Sequence, residues 1–171
     1  MARSDAARLK GSESLSEQRD FDDFYRACRP EMIRALVLAV GHRDLGREAA
    51  DEAFARALEG WGDVSGYKNP EGWVYRVGVN WALSELRRRS FTMDGLFAEP
   101  AHLDDLPEPE LLTAIEQLPI KYRSVIIARF FLDWSIEQTA EALSIPEGTV
   151  KTRQSRAVSR LRRRLGVRHE F

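Results

Sequence analysis

Apolar residues fall at helical spacing from Phe21 through Phe24, Cys28, Met32, Leu36 and Val40. The spacing predicts a helix that Pro30 kinks or restarts and that Gly41 closes. A second helix is predicted after Asp44, with Ala50, Phe54, Ala57, Leu58 and Trp61 on its apolar stripe and Glu48, Asp51, Glu52, Arg56 and Glu59 on the other face. Gly60 to Lys68 carries three glycines and reads as a loop. Asn69-Pro70-Glu71 restarts the helical pattern, with Asn as the cap, Pro at the first position and an acid in the first turn. This third helix runs through Trp73, Val77, Trp81 and Leu86 and ends in Arg87-Arg88-Arg89. Val77 and Trp81, four apart, read as core, while the pattern leaves Trp73 and Tyr75 open.

Residues 1–19 are rich in Ser, Ala, Arg and Glu with little apolar periodicity, which predicts a mobile tail. Residues 91–109, with Pro100, Pro107 and Pro109, read as a flexible linker. Helical spacing resumes near Glu110 with Leu111, Leu112, Ile115 and Leu118, stops at Pro119, and returns over Tyr122–Phe131. Ser135 with Gln138 three residues on is a capping box for a helix with Ile136, Ala140 and Leu143 on one side. After the break Ser144-Ile145-Pro146-Glu147-Gly148 comes a helix that becomes steadily more basic. No strand pattern stands out. The expected fold is all-α: two small helical domains, at about 20–90 and 110–168, joined by a flexible acidic linker and making little contact unless a partner holds them.

The net charge of −1 hides segregation. The linker region has Asp94, Glu99, Asp104, Asp105, Glu108 and Glu110 and no Lys or Arg, whereas Lys151, Arg153, Arg156, Arg160, Arg162, Arg163, Arg164 and Arg168 stand without one carboxylate among them. A basic helix across a tight turn from a capped helix fits the recognition helix of a DNA-binding helix-turn-helix. Aromatics interleaved with arginines on 70–90, beside a glycine loop, suit a surface for unstacked bases. Cys28, the one cysteine, excludes an internal disulfide, and its apolar neighbours make it a buried thiol. His42, His102 and His169 do not pair with Cys, Asp or Glu at metal-ligand spacing, and no phosphate loop follows a strand. The sequence implies neither an enzyme nor a metal or other cofactor. No run approaches the roughly eighteen apolar residues of a membrane span, and no leader pattern opens the chain, so a cytoplasmic protein without membrane insertion is expected.

Two stretches resemble the extracytoplasmic-function (ECF) sigma factors of bacterial RNA polymerase. Leu118-Pro119-x-x-Tyr122-Arg123, followed by Gly148-Thr149-Val150-Lys151-Thr152-Arg153 and Arg156-Ala157, is similar to the family's domain four. Gly72-Trp73-Val74-Tyr75-Arg76-Val77-Gly78-Val79-Asn80-Trp81-Ala82-Leu83 is similar to the promoter-melting helix of domain two. The resemblance implies a subunit that binds core polymerase and directs promoter recognition, melting and initiation. It implies that Glu48, Asp51 and Glu52 dock the β′ clamp helices. Asp63, Ser65, Gly66 and Tyr67 would then hold a flipped minus-ten base, with Arg76 and Asn80 contacting that element. Thr149, Lys151, Thr152, Arg153, Ser155 and Arg156 would meet the minus-thirty-five groove. The implied partners are core RNA polymerase, through the clamp helices and the β flap, and promoter DNA; an anti-sigma factor is left open. The linker would thread the polymerase cleft. The rival reading is a stand-alone helix-turn-helix regulator, which would bind duplex promoter DNA without polymerase.

Overall fold

The computed structural model describes residues 2–90 and 108–166, with side chains described from Leu15 to Arg89 and from Glu108 to Gly166. These residues form α1 (Ala2–Val40), α2 (Arg43–Glu59), the single-turn α3 (Trp61–Val64), α4 (Pro70–Ser90), α5 (Pro109–Glu116), α6 (Ile120–Ile126), α7 (Ile136–Leu143) and α8 (Glu147–Arg164). A π-helical turn, Ile127–Phe131, continues α6. The described residues contain no strand. The linker reading falls on residues 91–107, outside the described residues, except at its end, where Glu108 stands at the N-cap position of α5 without a side-chain cap bond and Pro109 takes the first helical position.

Sequence punctuation sets most of the boundaries. Gly41 closes α1 at φ +74°, a left-handed conformation that glycine adopts without Cβ strain. His42 caps α2, its Nδ1 accepting from the Leu45 N–H at 3.2 Å. The Asn69 side chain accepts from the Gly72 N–H at 2.8 Å and starts α4. Both halves of the Ser135–Gln138 capping box form, at 2.8 and 3.0 Å.

Three expectations are corrected. Helix α1 runs from Ala2 to Val40 with Pro30 inside it, so no restart divides it at the proline. Good helix formers among residues 2–19 support the early start. The Gly60–Lys68 stretch is half helical, because Trp61 is buried edge-on against Phe21 at 5.3 Å and tilted against Phe24 at 4.8 Å, which pins α3 to α1. Third, the two halves of the chain pack together. One core cluster joins Met32, Leu36 and Val74 of the first half to Ile127, Trp134 and Ala142 of the second. Val77 and Trp81 are only half-buried, while Tyr75, which the pattern left open, is fully buried.

Tyr75 and Arg123 explain the packing. The Tyr75 hydroxyl donates to the Ser124 carbonyl at 2.9 Å, and its ring meets Trp134 edge-on at 5.6 Å. The Arg123 guanidinium donates to the carbonyls of Ala39 (2.6 Å), Val40 (2.7 Å) and Glu116 (2.6 Å). Ala39 and Val40 are the last residues of α1, whose terminal carbonyls have no partner within the helix. A cation there also opposes the negative end of the helix dipole. Gly41 leaves room for it, since a Cβ at that position would sit 2.5 Å from Arg123 Nη1. Burial lowers the Arg123 pKa to about 10, so the side chain stays charged at neutral pH.

Candidate nucleic-acid interface

Helix α8 packs through Val150 and Ala157 and turns its polar side outward. Two open grooves flank it. The larger, about 580 Å³, lies toward α7 and is lined by Ile136, Lys151, Gln154, Ser155, Val158 and Arg162 among others. The smaller, about 280 Å³, lies toward α6 and includes Lys121, Tyr122, Thr149, Thr152, Arg153 and Arg156. Lys151 and Ser155 line the larger groove, Thr152 and Arg156 the smaller. All four are exposed, while Thr149 and Arg153 are half-buried. The Thr152 hydroxyl donates to the Gly148 carbonyl at 2.9 Å.

Tyr122 organises the smaller groove. Arg156, across the groove on α8, holds the Tyr122 pKa below the usual tyrosine value. Arg160 lies over its ring at 4.9 Å and Lys121 at 5.2 Å. The opening motif pointed to Tyr122 as a family marker but not as a support for the recognition helix. Its arginine partners lie on α8, a separation that local spacing does not report.

The first half presents a second surface. Asp63, Ser65, Gly66 and Tyr67 are exposed on α3 and the loop after it, and Tyr67 is 47% accessible. Ser65 Oγ is 3.4 Å from the Gly62 carbonyl, and the Gly66 N–H donates to Asp63 O, which closes the loop on itself. Asn80 is exposed on α4, one turn beyond Arg76. The half-buried Arg76 and Trp73 line a cleft of about 320 Å³ together with Tyr67 and Lys68. Lys68 and Lys121 were not among the expected site residues.

On α2, the expected polymerase-facing acids each meet a cation. Glu48 pairs with Arg89 at 2.9 Å, Asp51 with Arg29 at 3.5 Å and Glu52 with Arg56 at 2.8 Å. At the end of α4, hydrogen bonds from Arg88 and Arg89 hold the Glu85 pKa down to about 2. No group of three or more His, Cys, Asp or Glu among the described residues could hold a metal ion. No described helix is long and apolar enough to cross a membrane.

Residues 109–161 match the family model for sigma-70, region 4. The chain is 31% identical to the RNA polymerase sigma factor SigV of Bacillus subtilis, over 78% of this chain and 84% of that protein. It is 30% identical to the ECF RNA polymerase sigma factor SigM of Mycobacterium tuberculosis H37Rv, over 96% of this chain and 86% of that one. The chain belongs to the ECF sigma factors. As such a sigma factor it is a transcription-initiation subunit, and its fold has a solved counterpart. The sigma factor RpoE of Bartonella quintana, in complex with the anti-sigma factor NepR, matches with a TM-score of 0.73 over 88% of this chain and 99% of that one, at 21% identity. The grooved basic helix α8 lies within the stretch matching region 4, so the sigma factor's helix-turn-helix is α7–α8.

Proposed function

We infer that this sigma factor binds core RNA polymerase through the α2 acids, reads the minus-ten element with residues 63–80 and reads the minus-thirty-five element with α8. The observation that carries the reading is α8 itself, an exposed basic helix behind a capped α7, with open grooves on both flanks. In this reading Asp63, Ser65, Gly66 and Tyr67 hold a flipped base and Arg76 and Asn80 contact the neighbouring strand. Thr149, Lys151, Thr152, Arg153, Ser155 and Arg156 face the minus-thirty-five groove, with Lys121 and Tyr122 buttressing Arg156. The chain acts in the cytoplasm and has no catalytic site or cofactor of its own.

Docking Glu48, Asp51 and Glu52 on a basic polymerase surface exchanges one set of cations for another. The exchange costs little, because such exposed pairs contribute only about 0–1 kcal/mol each. The test is reconstitution: purified chain is added to core polymerase and the run-off transcripts are sequenced. A shared promoter pair of minus-ten and minus-thirty-five elements is expected. Glu52→Lys should abolish core binding while leaving the thermal transition in place, and unchanged core affinity removes the α2 assignment. A duplex promoter shift by the chain alone, without polymerase, would favour a stand-alone regulator instead.

A further inference from the structure

One glutamine on α8 presents its amide in a single sense. Arg129, in the π turn that continues α6, donates from Nε to Gln154 Oε1 at 2.9 Å. Its Nη1 donates to the Trp134 carbonyl, just ahead of α7. Arg129 thus ties the entry of the helix-turn-helix to the middle of α8, 25 residues further on. An arginine side chain carries donors and no acceptor, so the amide atom that meets it is the oxygen. The amide nitrogen, with both its hydrogens, is the branch left over for the groove. Gln154 is half-buried and lines the larger groove, with Lys151, Ser155 and Val158 on the same stripe of α8. Lys151 adds a second donor there, paired only loosely with Glu147 at 3.9 Å. Neither Arg129 nor Gln154 was among the expected site residues.

We propose that Gln154 is a base-reading residue of the minus-thirty-five surface, that Arg129 is its positioning residue, and that together they select guanine. The inference rests on the proposed minus-thirty-five role of α8 and adds to it a residue and the base it reads. In the major groove guanine shows two acceptors, N7 and O6. Adenine shows an acceptor beside its N6 donor, cytosine an N4 donor, and thymine one acceptor beside a methyl group. A glutamine free to turn suits adenine, accepting from N6 through its oxygen while donating to N7. Gln154 has lost that option, because Oε1 is turned to Arg129 and the guanidinium charge repels a second donor at the same oxygen. What remains is a donor-only face, the amide nitrogen with Lys151 beside it. Guanine satisfies such a face, and the amino groups of adenine and cytosine oppose it.

The test uses holoenzyme reconstituted from the full chain and core polymerase. It is bound to a duplex promoter library randomised through the minus-thirty-five element, and the bound and free fractions are sequenced. Gln154→Ala should flatten one position of that element, where the wild type should prefer guanine by at least about fivefold, the lower end for one base contact. Gln154→Glu places a carboxylate oxygen where the amide nitrogen stands, and should move the preference at that position to cytosine. Arg129→Met frees the amide to turn, so the guanine-to-adenine ratio there should fall about fivefold. Arg129→Lys, which can still donate to Oε1, should keep guanine. If the pair is only a strut between the π turn and α8, these variants lower the thermal transition and leave every base preference in place, which overturns the proposal. So does a wild-type preference for adenine at the position that Gln154→Ala flattens. Should Arg129→Met fail to fold, Gln154→Glu decides, because it keeps Arg129: guanine retained at that position overturns the proposal. Preferences altered in Arg156→Ala but not in Gln154→Ala overturn this proposal alone. Preferences unchanged in Lys151→Ala, Gln154→Ala and Arg156→Ala alike remove the α8 reading as a whole, and this proposal with it.

Discussion

Arg123 Nε donates to the Ala39 carbonyl at 2.6 Å, across 84 residues of sequence. A cation from the region-4 half thereby completes the last turn of the longest helix of the other half. Hydrogen bonds to charged groups are worth roughly 1.5–3 kcal/mol, and a buried acceptor left without a partner costs about 1–3 kcal/mol. Arg123→Ala should therefore release the two units, read as faster proteolysis between them and a lower urea midpoint. Arg123→Lys should recover only part of the loss, since an ammonium cannot fork among three carbonyls.

Thr139 is fully buried on α7, and its hydroxyl has no hydrogen-bond partner among the described residues. Thr139→Val keeps the shape and removes a stranded polar group, so the chain should gain about 1 kcal/mol in chemical denaturation. A loss of stability would show that the hydroxyl is satisfied in solution.

Arg156 and Arg163 should behave differently. With Arg156 on the small groove beside Tyr122, Arg156→Ala should cost about 1–3 kcal/mol at the preferred minus-thirty-five site and relax one or two base pairs. Tyr122→Phe, which keeps the ring but not the phenol, should reproduce part of that relaxation. Arg163→Ala should weaken all sites alike and reduce the salt slope by about one unit if it neutralises one phosphate. Holoenzyme binding to a panel of minus-thirty-five variants at several salt concentrations measures all three.

Cys28 offers a pH test of the core. Burial, and after it the nearby Glu71, raises the thiol from 9.0 to about 12, while its Sγ–H donates to the Phe24 carbonyl. The folded state therefore holds the proton more tightly than the unfolded one. The associated stability is complete below pH 9 and is lost as pH rises toward 12. Iodoacetamide at pH 8 should leave the native chain unlabelled and label it once urea unfolds it. Rapid native labelling would show that α1 opens locally around Cys28.

Much of this architecture is local and therefore visible in the sequence. The Ser135–Gln138 box, the Asn69 cap, Pro146 ahead of α8 and Gly41 behind α1 each act within four residues of themselves. Periodicity also marked Cys28, Met32 and Leu36 as an inward face. It could not show what that face meets. Tyr75 and Arg123 look like an aromatic on a basic helix and one more surface arginine, and only their partners at Ser124, Ala39 and Val40 make them buried joints. For the same reason the α8 residues were legible as basic and exposed but not as lining two grooves. Lys68 appeared as a loop lysine because its carboxylate partners lie about seventy residues away.

A π turn carries one residue more than the α turn it replaces. Here Ile127–Phe131 spends that extra residue just before Trp134, whose N–H reaches back to the Ala128 carbonyl at 3.0 Å. Each helical residue advances the chain by about 100° of rotation. Removing one residue from this turn would restore regular α geometry and swing Trp134, the ring that meets Tyr75, about a quarter-turn away from it. The segment should accept changes of side chain far more readily than changes of count. It works as a phase-setter, fixing the angle at which one half of the molecule meets the other.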